Sequence, residues 1–104
     1  MNFKVKYRFY TEQEGGRKSL PFQGYRSDFF YNEQAYMIHP SFEDEEGNLL
    51  EQGKQANESG IARMTILSQN MIPFHKENLQ LGTKGFFIEG ARKVAECEVI
   101  ELSF

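Results

Sequence analysis

Eighteen residues, Glu14 to Tyr31 (EGGRKSLPFQGYRSDFFY), limit the fold of this chain more than any other stretch. They hold three glycines, a proline, the adjacent cations Arg17 and Lys18, and three consecutive aromatic residues. Glycine admits positive φ and proline removes a ladder donor, so Thr11–Gln23 is a loop through which no regular strand runs. The chain must turn tightly, turn again at Gly24, and enter a strand at Phe29-Phe30-Tyr31. Consecutive rings point to both faces of a sheet, which fits a buried strand better than an open stacking platform.

The flanking pattern is β throughout. Phe3, Val5, Tyr7 and Phe9 alternate with Lys4, Lys6 and Arg8, which predicts a half-buried strand with a cationic outer row. That row is either a solvated face that discourages edge pairing or a strip for phosphates or an acidic partner. Tyr36–Phe42 reads as a short strand stopped by Pro40. Ile61–Leu67 returns to β character, and Met71-Ile72-Pro73-Phe74 ends at a second proline. Phe86-Phe87-Ile88 and 93–102 flank Glu89-Gly90-Ala91-Arg92, a composition typical of a tight hairpin. In the last strand Ala95, Cys97 and Val99 share one face, with Glu96, Glu98 and Glu101 on the wet one. Six or so short strands without a helical period predict a single all-β domain over 1–104, a barrel or sandwich.

Charge separates the chain into unlike parts. Residues 1–26 carry six basic groups against two acidic, residues 27–60 one against eight, and the remainder is balanced, for a net −3. The stretch 43–60 (EDEEGNLLEQGKQANESG) is acidic and glycine-punctuated, and is expected to be a long hairpin insertion solvated by its carboxylates. It lacks the ligand alternation of an EF-hand loop. An acidic whole opposes non-specific nucleic-acid binding, while the basic first quarter leaves room for a specific contact.

Chemistry has few candidates. Cys97 stands mid-strand among small apolar neighbours, where a thiol behaves as an inert hydrophobe. His39 and His75 have no third ligand at metal-binding spacing. A non-enzyme without metal, cofactor or nucleotide is the expectation. A lone cysteine and the lack of any long apolar run point to the cytoplasm and away from membranes.

Two groups of residues resemble the third, C-terminal β-barrel domain of elongation factor Tu. The first is Glu14-Gly15-Gly16-Arg17 followed by Pro21-Phe22 and Gly24-Tyr25-Arg26. The second is Glu89-Gly90-Ala91-Arg92-Lys93-Val94, with the preceding strand matching in character. Residues 3–31 and 71–102 align in outline; the acidic middle does not. The resemblance implies a closed, six-stranded antiparallel barrel, interrupted here by the long acidic loop. It also implies that Arg17, Lys18, Glu89 and Gly90 occupy positions that lie near the T stem of aminoacyl-tRNA, with Gly15, Gly16 and Gly24 as structural turns. Ser27 and Asp28 replace a proline and a glutamine of the family, and Asn32 replaces an arginine. That puts in doubt the surface by which the family's barrel docks on its GTPase domain. No G-x-x-x-x-G-K-[ST] phosphate loop is present.

Two functions follow as expectations. The favoured one is a non-catalytic module that docks a protein or a second copy of itself. The other is an RNA-stem binder using Arg17, Lys18 and the row Lys4, Lys6 and Arg8. A shared face for the outer row of 3–10 and the turns at 15–18 and 89–92 favours RNA; carboxylates from 43–58 folded over that face remove the RNA case.

Overall fold

The computed structural model describes residues 1–104. The strands are β1 (Phe3–Phe9), β2 (Asp28–Tyr31), β3 (Gln34–Tyr36), β4 (Ile38–Phe42), β5 (Ser59–Ile66), β6 (Lys84–Glu89) and β7 (Arg92–Leu102). One helix, α1 (Ile72–Asn78), follows a short 3-10 turn, Gln69–Met71. All seven strands join one curled antiparallel sheet in the order β3-β2-β6-β7-β1-β5-β4. The all-β expectation holds, with seven strands in place of six.

The alternating segment is not an edge: β1 pairs with β5 on one side and β7 on the other. Phe3, Val5, Tyr7 and Phe9 are all buried, as are Ala95, Cys97 and Val99 beside them. The core is largely aromatic. Tyr7, Phe9, Phe42 and Phe87 pack with ring centroids 5.3–6.3 Å apart, and Phe3, Phe29 and Tyr31 continue the contact. Edge and tilted pairs of this kind add about 0.5–1.5 kcal/mol each beyond the burial of their area. The run Phe29-Phe30-Tyr31 does face both ways: Phe29 and Tyr31 enter the core, and Phe30 lies half-buried outside with Phe86.

Three local expectations are corrected. Pro40 does not stop a strand. It sits inside β4 opposite Met64, on a strand bonded along one side only, where a missing N–H costs no ladder bond. The segment Tyr36–Phe42 is instead split at Met37, leaving Tyr36 in β3, paired to Phe29, and Ile38 in β4, paired to Ile66. The second proline, Pro73, opens a helix rather than ending a strand. It stands in the first turn of α1, where the absent donor would lack a helical partner anyway.

The free side of β4 is sealed by a side chain. Gln23, read as loop, is buried, and its amide takes the place of a neighbouring strand. The Phe42 N–H donates to Gln23 Oε1 at 2.9 Å, while Gln23 Nε2 donates to the carbonyls of Phe42 (3.1 Å) and Leu50 (2.9 Å). The acidic stretch is therefore not a free loop. Leu50 N–H reaches the Phe42 carbonyl, and the amides of Gln23 and Ala56 reach the carbonyls of Lys54 and Pro21, so 43–58 is laced to the rest of the fold at both ends.

The β2–β3 connection is a two-residue turn, Asn32-Glu33, with φ of +52° and +63°. Positive φ at both positions marks a type I′ hairpin, which favours Asn first and Gly second. Glu33 carries the strain, so Glu33→Gly should stabilise the protein by roughly 0.5 kcal/mol, the left-handed penalty less the added chain entropy. Gln23→Ala should cost about 1–3 kcal/mol, because it leaves the Phe42 amide buried without a partner. Urea denaturation measures both; a neutral Gln23→Ala would mean that water replaces the amide without loss.

Candidate binding surfaces

The turn residues singled out by sequence meet at one end of the curled sheet. Gly15 and Gly24 have φ of +92° and +100°. Gly16 is demanded by space: a Cβ there would lie 2.1 Å from the Tyr10 carbonyl oxygen. This close approach carries Arg17 onto the β6–β7 hairpin, where its guanidinium bonds the Glu89 carboxylate and lies 5.1 Å from the Tyr25 ring centroid. The Tyr25 hydroxyl donates to the same carboxylate. Burial pushes Glu89 up, but the bonds from Tyr25 and Arg17 outweigh it and leave the carboxyl below its ordinary value. Arg17 and Glu89 thus form one clamp. Lys18 and Gly90 are exposed beside it, and Lys18 has no carboxylate within ion-pairing distance.

The basic strip sits against a matching acidic row. Across β1 and β7, Lys4 stands opposite Glu101, Lys6 opposite Glu98, and Arg8 opposite Glu96. Arg8 bonds Glu96 (3.1 Å) and both oxygens of Glu14 (3.0 and 3.2 Å). The Arg8 bonds and the Thr11 amide hold Glu14 at about 2. Lys84 takes Glu98 at 2.6 Å, which lowers that carboxyl as well. Lys6 alone of the strip makes no direct ion pair. The shallow depression between these rows, about 690 Å³, is lined by Lys6, Arg8, Lys84, Glu96 and Glu98 beside Ile61 and Phe86. Such mixed sign presents no continuous cationic track.

Sequence reading missed the role of Glu43. It is 5% exposed, held by Lys4 (2.9 Å) and Arg63 (2.8 Å), not solvated. Burial raises its pKa, the bonds from Arg63 and Lys4 lower it, and the net shift is downward. One carboxylate of the acidic stretch has therefore folded onto the strip and taken its first cation. Nothing in the local pattern marks it, because both partners come from other strands.

At the opposite end a different surface forms. Six of the eight large hydrophobic residues that stay exposed (Met1, Met37, Leu67, Leu81, Ile100 and Leu102) lie along one rim. Hydrogen bonds place them in order. Leu67 N–H reaches Met37 O, Asn2 bonds Met64 and Ile66, Ser103 bonds Asn2, and Gly82 bonds Val99. Between Leu67 and Thr83 only Lys76 and Glu77 are charged. Helix α1 lies within this stretch and packs His75 against Tyr31 and Tyr36. His39 lies on β4, and no group of three or more His, Cys, Asp or Glu side chains converges anywhere in the chain. Burial pushes the Cys97 thiol well up. No helix is long and apolar enough to cross a membrane.

Compared with known proteins, the chain matches no protein-family model and no curated protein.

Glu43 and Glu89 both have depressed carboxyl pKa values in the fold. Their stabilisation is complete above the ordinary value of 4.5 and is lost as pH falls through the folded values. Acid unfolding should therefore steepen below pH 4.5. Glu43→Gln should cost about 1–3 kcal/mol at pH 7 and flatten that acid limb. Denaturant titrations at several pH values check it; an unchanged limb would show that Glu43 contributes nothing to acid lability.

Proposed function

We propose that this chain is a non-catalytic protein-interaction module that docks a protein partner through the apolar rim. The observation that carries this is the gathering of six of eight exposed large hydrophobics at one end, beside a stretch, 68–82, in which only Lys76 and Glu77 are charged. Scattered exposed apolar residues need no explanation, but six gathered at one end, two of them methionines, have the composition of an interface centre. The non-catalytic part of the reading rests on the buried thiol and on histidines that stand apart.

We also propose that the curled sheet is a variant of the closed six-stranded barrel of the elongation factor Tu third domain. Two features support it. Only Met37 separates β3 from β4, so these opposite ends of the ladder are consecutive in the chain and count as one bent strand. Counted so, six strands remain around the curl. The Gln23 amide then bonds where that bent strand lacks a neighbour.

RNA binding is the lesser reading. Arg17, Lys4 and Arg8 already hold carboxylates, which leaves Lys18 and Lys6 as the unpaired cations among the five. The paired ones would have to exchange those partners for phosphates.

A photo-crosslinking residue at Leu67 or Leu81, with one at Lys6 as control, tests the docking surface. Crosslinks to a protein from the rim positions alone are expected, and a crosslinked second copy would identify self-association. Leu67→Asp with Leu81→Asp should weaken capture about tenfold or more while leaving stability within about 0.5 kcal/mol. Crosslinks equal at Lys6 would remove the rim from the site. Hairpin RNA bound at micromolar affinity in about 0.15 M salt, with a salt slope of roughly 3–5, would favour RNA instead.

A further inference from the structure

Helix α1 is a weakly anchored element in a well-anchored fold. It has seven residues, and neither it nor the 3-10 turn before it has a side-chain hydrogen bond at its N-cap. Isolated helices of this length are unstable in water, so docking must hold it. That docking rests on two buried residues, His75 and Leu79, with Ile72 half-buried against the core. Local opening of such an element costs less than unfolding the sheet.

His75 is the unusual half of that anchor. It is 1% exposed, and its Nδ1 lies 2.6 Å from the Tyr31 hydroxyl. Its ring lies edge-on to Tyr36 at 4.7 Å and also contacts Phe74. Tyr31 from β2 and Tyr36 from β3 are the titratable groups that face it. On its own helix Lys76 and Glu77 are exposed, and no carboxylate or cation bonds the imidazole. A neutral imidazole suits this pocket, with Nδ1 accepting from the hydroxyl. An imidazolium would be buried with no counter-charge, which is costly.

We propose that α1 is an acid-releasable plug: proton uptake by His75 undocks residues 69–79 from Tyr31 and Tyr36 while the sheet stays folded. Burial lowers the affinity of His75 for a proton in the docked state. Docking is therefore complete above the ordinary histidine value of 6.5 and weakens as pH falls below it. The weakening is about tenfold per pH unit until the docked value is reached. The clamps at Glu43 and Glu89 stay ionised throughout that range, because their pKa values lie below 4.5. The order of events follows: the plug opens first and the sheet fails later. Opening uncovers Tyr31 and Tyr36 at the rim end and enlarges the apolar surface there.

Amide hydrogen exchange from about pH 7.5 to about 5, corrected for intrinsic rates, tests this. The opening constant for amides in 75–79 should rise about tenfold per unit below 6.5, with β1 and β7 unchanged. Tyr31→Phe with His75→Phe keeps both rings, removes the proton site, and should abolish the dependence. His39 remains in that variant, so a surviving slope would overturn the proposal, as would a flat wild-type response. Should the double variant not fold, an NMR titration of the wild-type histidines decides. Proton uptake at His75 coincident with movement of the helix resonances upholds the proposal. Uptake without movement, or no uptake above about pH 5, overturns it.

Discussion

The bond set between Gln23 and β4 is the constraint on which the rest of this fold depends. The sheet ladder runs from β3 to β4 without closing on itself, so its last strand has a bare side. Bare edges recruit other strands. Here Pro40 removes one donor from β4, and the Gln23 amide occupies both the N–H and the C=O of Phe42. The same amide bonds Leu50, so sealing the edge also anchors the acidic stretch. Phe42 is thereby fixed against Tyr7, Phe9 and Phe87, which joins the seam to the aromatic core.

Electrostatics follow from that anchoring. With 43–58 held near β4 and β5, Glu43 reaches Lys4 and Arg63, and Asn57 accepts the buried Tyr7 hydroxyl. Burial pushes that hydroxyl up to about 12, so it remains a donor at any physiological pH. The cationic row of β1 then has acidic neighbours on β7 and one carboxylate from the loop. A strip that looks like a phosphate track in sequence is, in the fold, the middle of a charge lattice. Its separate ion pairs are largely exposed and individually weak. Outside the buried Glu43 clamp, their effect is to neutralise rather than to stabilise.

Strands with strict alternation were legible from sequence because the period of two needs no partner to be recognised. β1 and β7 were read with the correct faces, and so was the hairpin at Gly90. What stayed hidden depends on contacts between distant residues. Pro73 reads as a terminator, since a helix of seven residues is too short to establish a period. Pro40 reads as a stop because its strand's position in the sheet order is not a local property. Gln23 carries no turn signal, and Glu43 is one of four consecutive acidic residues with nothing to single it out. Of the candidate site, the pairing of Arg17 with Glu89 was half visible: sequence placed both in turns, and only the fold brings the turns together.

That pairing bears on what the shared motifs mean. In the resembled family the glycine-arginine turn and the glutamate-glycine hairpin are positions near RNA. In this chain Gly16, Arg17, Tyr25 and Glu89 are used inside the molecule. Gly16 clears the Tyr10 carbonyl, Arg17 bonds Glu89, Tyr25 bonds the same carboxylate, and its ring contacts Phe9 and Phe42. These bonds tie the loop before β2 to the hairpin between β6 and β7, next to the Asp28–Ile88 pairing of those strands. Construction of the curled sheet alone accounts for these residues. A surface for a partner must be sought where side chains have no such internal use, and that condition is met by the apolar rim at the other end.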